Sequence, residues 1–193
     1  MDQEEHRFTG ERIDYAYIQT ALGLTAVAKS EFGIAAILPG KNRDALSADL
    51  QAIFAGAMLI ENEAAFAVAR DTITRALAAP GSNAALALDL RGTPIEKAVW
   101  AALMAVPAGS LITYGALARR LAVRATAQDV GAACAANRIA VIVPCHRVVR
   151  ADGGISGYRW GVWRKRQLIN AEDIARPFWD RAPQVPSTAV GAD

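Results

Sequence analysis

Between Tyr15 and Leu38 the apolar positions fall in three short runs, residues 15–20, 24–29 and 33–38, separated by Gly23 and by the turn-like stretch from Ser30 to Gly33. Short apolar or alternating runs bounded by such residues predict a small antiparallel meander. The period then changes. Over residues 43–54 and 61–77 apolar side chains recur at spacings of three and four, which predicts two helices. Pro80-Gly81-Ser82-Asn83 breaks the second, and residues 86–90 read as one more short strand.

A new unit opens at Thr93. Thr93 and Glu96 form a capping box, with Pro94 at the first helical position, where its missing N–H costs nothing. Ile95, Val99, Leu103 and Val106 then line one helix face, which Pro107-Ala108-Gly109 terminates. Thr113 caps a short helix over 114–121. Thr126 and Asp129 start a third over 127–136, which Asn137 is placed to end in a left-handed conformation. Two short helices joined across residues 122–125 have the spacing of a helix-turn-helix. The third helix, with Gly131, Ala132, Ala133, Ala135 and Ala136, has almost no side-chain bulk. Such a helix suits tight packing against a neighbour, and equally entry into a DNA minor groove only about 6 Å wide. The pattern as a whole is α+β: a polar tail (1–14), an α/β unit with a small antiparallel sheet (15–92), a mainly helical unit (93–176) and a C-terminal tail (177–193).

Charge divides along the same line. Residues 1–92 carry 8 Lys/Arg against 12 Asp/Glu, whereas residues 93–176 carry 12 against 5. A basic second half points to a polyanionic partner. No apolar run approaches the 18 or more residues of a membrane span, and the charged N-terminus is neither secretory nor transit-like, so a cytoplasmic location is expected. Two cysteines and two histidines at these spacings match no zinc pattern, so neither metal nor cofactor is expected. Reduced thiols are favoured over a Cys134–Cys145 disulfide.

The chemistry concentrates after the apolar run 140–143, in Pro144-Cys145-His146-Arg147-Val148-Val149. Most isolated cysteines are small buried hydrophobes, and Cys134 fits that description. Cys145 has a proline that fixes the chain, a histidine able to act as base, and Arg147, whose charge favours thiolate. Gly153, Gly154, Gly157 and Gly161 punctuate the loop that carries Tyr158 and Trp160. Glu172, on a last helix, supplies a carboxylate able to orient the base.

The Pro-Cys-His-Arg-Val-Val core, with Gly157-Tyr158-Arg159-Trp160-Gly161, Arg164-Lys165, Ile112-Thr113-Tyr114 and Cys134-Ala135-Ala136-Asn137, resembles the O6-methylguanine-DNA methyltransferases. It is most similar to the C-terminal domain of bacterial adaptive-response (Ada) proteins, from about residue 90 to 172, with a looser match over 15–89. The resemblance implies a ribonuclease H-like N-terminal domain and a winged-helix-like DNA-binding domain. It implies a monomer that binds duplex DNA containing O6-alkylguanine through the minor groove, extrudes the base and takes the alkyl group irreversibly onto Cys145. His146 would take the thiol proton through a water, and Glu172 would hold the imidazole. Asn137 would tie the helix-turn-helix to the active-site strand. Tyr114 would press on the target phosphate. Ala135 lies on the DNA-facing helix. Main-chain groups at Cys145 and Val148, the loop from Ser156 to Arg159, and the neighbouring Tyr158 and Trp160 would surround the guanine. One position departs: where the family has the arginine that fills the gap left by the flipped base, this chain has Gln128, and the nearest arginine is Arg124. That departure keeps two other readings in view, a non-catalytic lesion binder and a transferase acting on a non-DNA alkylated molecule.

Overall fold

The computed structural model describes residues 10–82, 85–155 and 157–172. Strands β1 (Arg12–Thr20), β2 (Gly23–Ser30) and β3 (Gly33–Pro39) form the meander that the apolar runs predict, with Tyr17 opposite Ala26 and Val27 opposite Ile37. The sheet is mixed rather than purely antiparallel. After helix α1 (Arg43–Ile53), strand β4 (Met58–Glu61) returns to the far side and pairs parallel with β1, from Arg12 with Met58 to Tyr15 with Glu61. This pairing draws β1 back to Arg12, into the expected polar tail. The helix expected over 61–77 is correspondingly split. Asn62 accepts a hydrogen bond from Ala65 N and caps a 3-10 turn, Glu63–Phe66, and only then does α2 (Arg70–Ala78) begin. Apolar spacing alone does not separate one helix from a strand, a turn and a shorter helix.

The other sheet edge positions the rest of the molecule. An uncovered strand edge presents unpaired N–H and C=O groups. On β3 two connecting segments take them up. Ile34 N donates to Ala87 O (2.8 Å) and accepts at its carbonyl from Asp89 N (2.9 Å), so the expected strand over 86–90 is reduced to a single bridge at Leu88. A side chain at Gly33 would lie 2.4 Å from Ala87 O, so only glycine permits this approach. Further along, Ile37 N donates to Arg138 O (2.8 Å) and Ala140 N donates to Ile37 O (3.0 Å).

Helix α3 (Pro94–Met104) starts with both bonds of the Thr93/Glu96 capping box, and burial falls on Val99, Trp100 and Leu103. Strand β5 (Ile112–Thr113) leads into α4 (Tyr114–Arg120), capped by Thr113, and α5 (Ala127–Ala136) carries the Thr126/Asp129 capping box. α4 stops one residue short of expectation because Leu121 is already extended. Both α3 and α4 pack on α5, and Trp100 Nε1 donates to Ala133 O at 2.8 Å. Small residues on α5 allow this close packing. The short strand β6 (Val148–Val149) pairs parallel with β5, and α6 (Val162–Glu172) closes the described chain. One apolar cluster runs from Ile13 through to Leu168, joining sheet and helices. Among the described residues no helix is long and apolar enough to cross a membrane.

Arg164 fastens α6 to the sheet. Its buried guanidinium donates to Leu22 O (2.9 Å), Gly40 O (3.1 Å) and Trp160 O (2.8 Å). Arg164→Ala would leave these carbonyls without their charged donor and is expected to lower unfolding free energy by about 2–4 kcal/mol, measurable as a shift in urea midpoint at constant slope.

Candidate active site

Asn137 does not end α5 in the left-handed conformation expected of it; its φ and ψ are −58° and 129°. The carboxamide turns inward instead. Nδ2 donates to Val143 O (3.0 Å) and to Cys145 Sγ (3.2 Å), while Oδ1 accepts from Ile139 N (2.9 Å). The intervening apolar run is a tight turn and not an extended strand. Ile142 N reaches Ala140 O, Val143 N reaches Ile139 O, and Val141 sits at φ 71°. It is the one non-glycine with positive φ among the described residues. A β-branched residue in that region is strained. Here the strain directs Pro144 and the 3-10 turn Cys145–Arg147 into the core, where Cys145 is 3% exposed.

The next two side chains of that turn meet Glu172 from α6. His146 Nε2 lies 2.8 Å from Glu172 Oε1. With an ionised carboxylate as acceptor, Nε2 carries the proton and Nδ1 keeps its lone pair. Nδ1 is buried and has no hydrogen-bond partner among the described residues. Burial holds the His146 pKa below its ordinary value, against the pull of Glu172, so the ring is neutral and able to accept a proton. Arg147 lies on the other side of the same carboxylate, donating from Nε and Nη2 (2.7–3.1 Å), with Nη1 donating to Val106 O. Burial alone would raise the Glu172 pKa, but hydrogen bonds from His146 and Arg147 outweigh it and bring it to about 2. The expectation that Arg147 favours the thiolate is therefore corrected: its charge is committed to Glu172.

A different basic side chain acts on the charge of the sulfur. Lys165 is fully buried on α6, donates from Nζ to Val148 O (2.6 Å), and its charge favours ionisation of Cys145. Burial nevertheless dominates and raises the thiol pKa to about 11, with the Asn137 bond and Lys165 opposing it. The resting sulfur is a thiol and needs a base. In the sequence Lys165 stands out only as half of the Arg164-Lys165 pair. The pattern that could have drawn attention to it is the spacing of Arg164, Lys165, Leu168, Ile169 and Glu172, which places three charged residues on the inward face of α6.

The sulfur opens on a pocket of about 360 Å³ lined by Tyr114 of α4, Gly131, Cys134 and Ala135 of α5, and Gly157, Tyr158 and Arg159 of the following loop. Tyr158 Oη is buried and has no hydrogen-bond partner among the described residues. Trp160 is buried and packs edge-on against the Tyr158 ring, centroids 5.1 Å apart, so it supports the pocket wall. Val148 contributes its carbonyl to Lys165 and its N–H to Cys145 O. Cys134 shares the pocket, and burial pushes its thiol far above the usual range. Gln128 and Arg124 are exposed, the former in the first turn of α5 and the latter just before its cap. Ser156 lies outside the described residues.

The chain thus brings together a deeply buried thiol, a carboxylate-bound histidine next to it in sequence, and a pocket walled by a small-residue helix. Comparison with known proteins gives the family. Residues 94–174 match the model of the 6-O-methylguanine DNA methyltransferase, DNA binding domain. The bifunctional transcriptional activator/DNA repair enzyme Ada of Escherichia coli is 40% identical over 174 residues, 89% of this chain and 49% of that protein. A methylated-DNA--protein-cysteine methyltransferase of Mycobacterium bovis is 40% identical over 113 residues, 58% of this chain and 68% of that protein. The crystal structure of Mycobacterium tuberculosis OGT in complex with DNA aligns with a TM-score of 0.69 at 29% identity, over 86% of this chain and 96% of that one. The chain belongs to the methylated-DNA--protein-cysteine methyltransferase family. It spans about half the length of the Ada relatives that it matches.

The carboxylate network has a pH signature. Glu172 has a folded pKa of about 2 against an ordinary 4.5, so its stabilisation is present above pH 4.5 and is lost as pH falls toward 2. Below the lower value both states are protonated and the difference disappears. The depression corresponds to roughly 3 kcal/mol. Glu172→Gln is expected to flatten the dependence of unfolding free energy on pH between these values, as read from urea titrations at a series of pH values.

Proposed function

We propose that this chain repairs DNA by moving an alkyl group from O6 of guanine onto Cys145, one lesion per molecule. The observation that carries the reading is the buried Cys145 thiol, held by Asn137 against a pocket and followed in sequence by a neutral histidine that Glu172 orients. In the proposed step His146 takes the thiol proton through a water. Sγ then bonds to the alkyl carbon as the O6–carbon bond breaks, and the electron pair stays on guanine, which takes up a proton. The neutral thioether is a poor leaving group, so Cys145 is not regenerated. Transfer needs the guanine outside the duplex, because a protein thiol cannot reach the alkyl group within the stack.

The remaining assignments belong to the same proposal. Residues 15–92 are a ribonuclease H-like domain and 93–176 a winged-helix-like one, whose α4–α5 pair is the helix-turn-helix. Gln128, Ala132 and Ala135 share the exposed face of α5 at i, i+4 and i+7 spacing, and this thin face enters the minor groove. Tyr114 meets the backbone of the extruded nucleotide. Tyr158, Arg159 and main-chain groups at Cys145 and Val148 surround the base. The protein acts as a cytoplasmic monomer. The test is intact-mass spectrometry after incubation with a duplex holding one O6-methylguanine. The expected result is a single methyl-for-hydrogen increase on the Cys145 peptide, abolished in Cys145→Ala and retained in Cys134→Ala. An unmodified Cys145 together with tight lesion binding would establish a lesion binder instead.

Gln128 is the residue proposed to fill the stack after extrusion. Glutamine occupies space there and can hydrogen-bond to the orphaned base, but it lacks the flat, charged guanidinium that stacks on bases and meets phosphates. Gln128→Arg is expected to speed transfer from duplex DNA while changing transfer from a free O6-alkylguanine base much less. Parallel single-turnover rates on the two substrates make the check. Equal rates for both proteins on the duplex would remove Gln128 from base extrusion.

A further inference from the structure

The C-terminal turn of α5 is capped in an unusual way. The last carbonyls of a helix have no intrahelical donor, and they carry the negative end of its dipole. A following residue in the left-handed conformation usually curls an N–H back onto them. Asn137 is extended and spends its side chain on Ile139, Val143 and Cys145. Two carbonyls of α5 are met by side chains from elsewhere in the fold. Trp100 Nε1 of α3 covers Ala133 O on the buried face, and Arg159 Nη1, from the loop beyond the active site, donates to Ala135 O at 3.1 Å on the exposed face.

The second bond joins the two sides of the pocket. Gly157, Tyr158 and Arg159 line it from the loop, and Gly131, Cys134 and Ala135 line it from α5. Apart from Arg159, the loop is held from its far side: Trp160 packs on Tyr158 and its carbonyl accepts from Arg164, which is anchored to the sheet. The loop is thus fixed to the body of the protein at Trp160, and to α5 through Arg159.

We infer that Arg159 is a positioning residue, a clasp that holds the pocket loop against the C-terminal end of α5 and so keeps the two walls at the separation a purine base requires. This rests on the alkyl-transfer reading above. It differs from a role in which Arg159 grips a DNA phosphate, because a clasp acts on any base entering the pocket, with or without a backbone. Being a hydrogen bond to a carbonyl, it also tolerates a neutral donor. The chemical step belongs to Cys145, His146 and Glu172, which the clasp does not touch.

The experiment measures single-turnover alkyl transfer as a function of substrate concentration for wild type, Arg159→Ala, Arg159→Gln and Arg159→Lys. The substrates are free O6-methylguanine base and a duplex bearing one O6-methylguanine, and duplex affinity is followed against salt. Arg159→Ala is expected to raise the half-saturating concentration for both substrates by about three- to tenfold, the worth of one such hydrogen bond. Its limiting rate and the salt slope of duplex binding should remain those of wild type. Arg159→Gln, whose amide can still donate to a carbonyl, should recover part of the loss. Arg159→Lys, whose ammonium can donate to the same carbonyl, should recover affinity as Arg159→Gln does. Three results overturn the clasp. One is a wild-type response to free base in Arg159→Ala with a salt slope reduced by about 1, the mark of a lost phosphate contact. Another is a wild-type half-saturating concentration for both substrates in Arg159→Ala, which shows that the bond does not set the pocket. The third is a fall in limiting rate at unchanged half-saturation, which places Arg159 in the chemical step. Wild-type protein that transfers from neither substrate would overturn the function proposed above, and duplex affinities of the variants would then still report the phosphate contact.

Discussion

Three hydrogen bonds from one buried carboxamide hold together the parts that the chemistry needs. Asn137 ends α5, and both its nitrogen and its oxygen face inward, onto Val143 O, Cys145 Sγ and Ile139 N. These bonds close the turn that contains the positive-φ Val141, and that turn sends Cys145 into the core instead of out to solvent. Residues on either side of Ile139 are pinned in turn by β3, through the backbone bonds of Ile37 with Arg138 and Ala140. The N-terminal sheet is therefore part of the site's foundation although none of its side chains lines the pocket. A buried polar group left without partners is costly, so each of these bonds constrains where the others can go.

The electrostatics follow from burial. A thiol in such surroundings stays protonated, and no amount of attraction from Lys165 reverses this. The residue that follows the cysteine is a neutral imidazole held against an ionised carboxylate. Glu172 can remain ionised in the core because His146, Arg147 and the Gly109 N–H all donate to it. Arg147 in turn anchors to Val106 O at the end of α3. One carboxylate thereby links α3, the Cys145 turn and α6.

Much of this could be read from the chain before any coordinates. Both capping boxes, the breaks at Gly23 and Pro107, and the Pro144–Val149 motif are local statements, made by residues within a few positions of one another, and α3, α4 and α5 begin where their caps stand. The first unit was less legible. The segment 58–61 becomes a strand because β1 offers it a parallel edge, and residues 86–90 fall short of a strand because β3 accepts them at one point only. Such outcomes depend on partners far away in sequence, and periodicity over four or five residues contains no information about them.

The site divides in the same manner. Composition and spacing singled out Cys145, His146 and Glu172 as candidates, because the first two are adjacent and the third completes a triad of residue types with a known chemical logic, and the fold pairs His146 with Glu172. Which cation serves which anion was not a local matter. Arg147 adjoins the cysteine in sequence yet belongs to Glu172, whereas Lys165, twenty residues away, is brought to the sulfur by the packing of α6. Asn137 has the composition of a left-handed cap, but burial beside Val143 and Cys145 gave its amide stronger partners than the helix end. The chain by itself determined where the capped helices α3, α4 and α5 start and which side chains are candidates for chemistry. Only the tertiary structure decided the pairing of charges and the direction of each buried polar group, because in a low-dielectric interior those are settled by which partners come within about 3 Å, and that distance is a property of the whole fold.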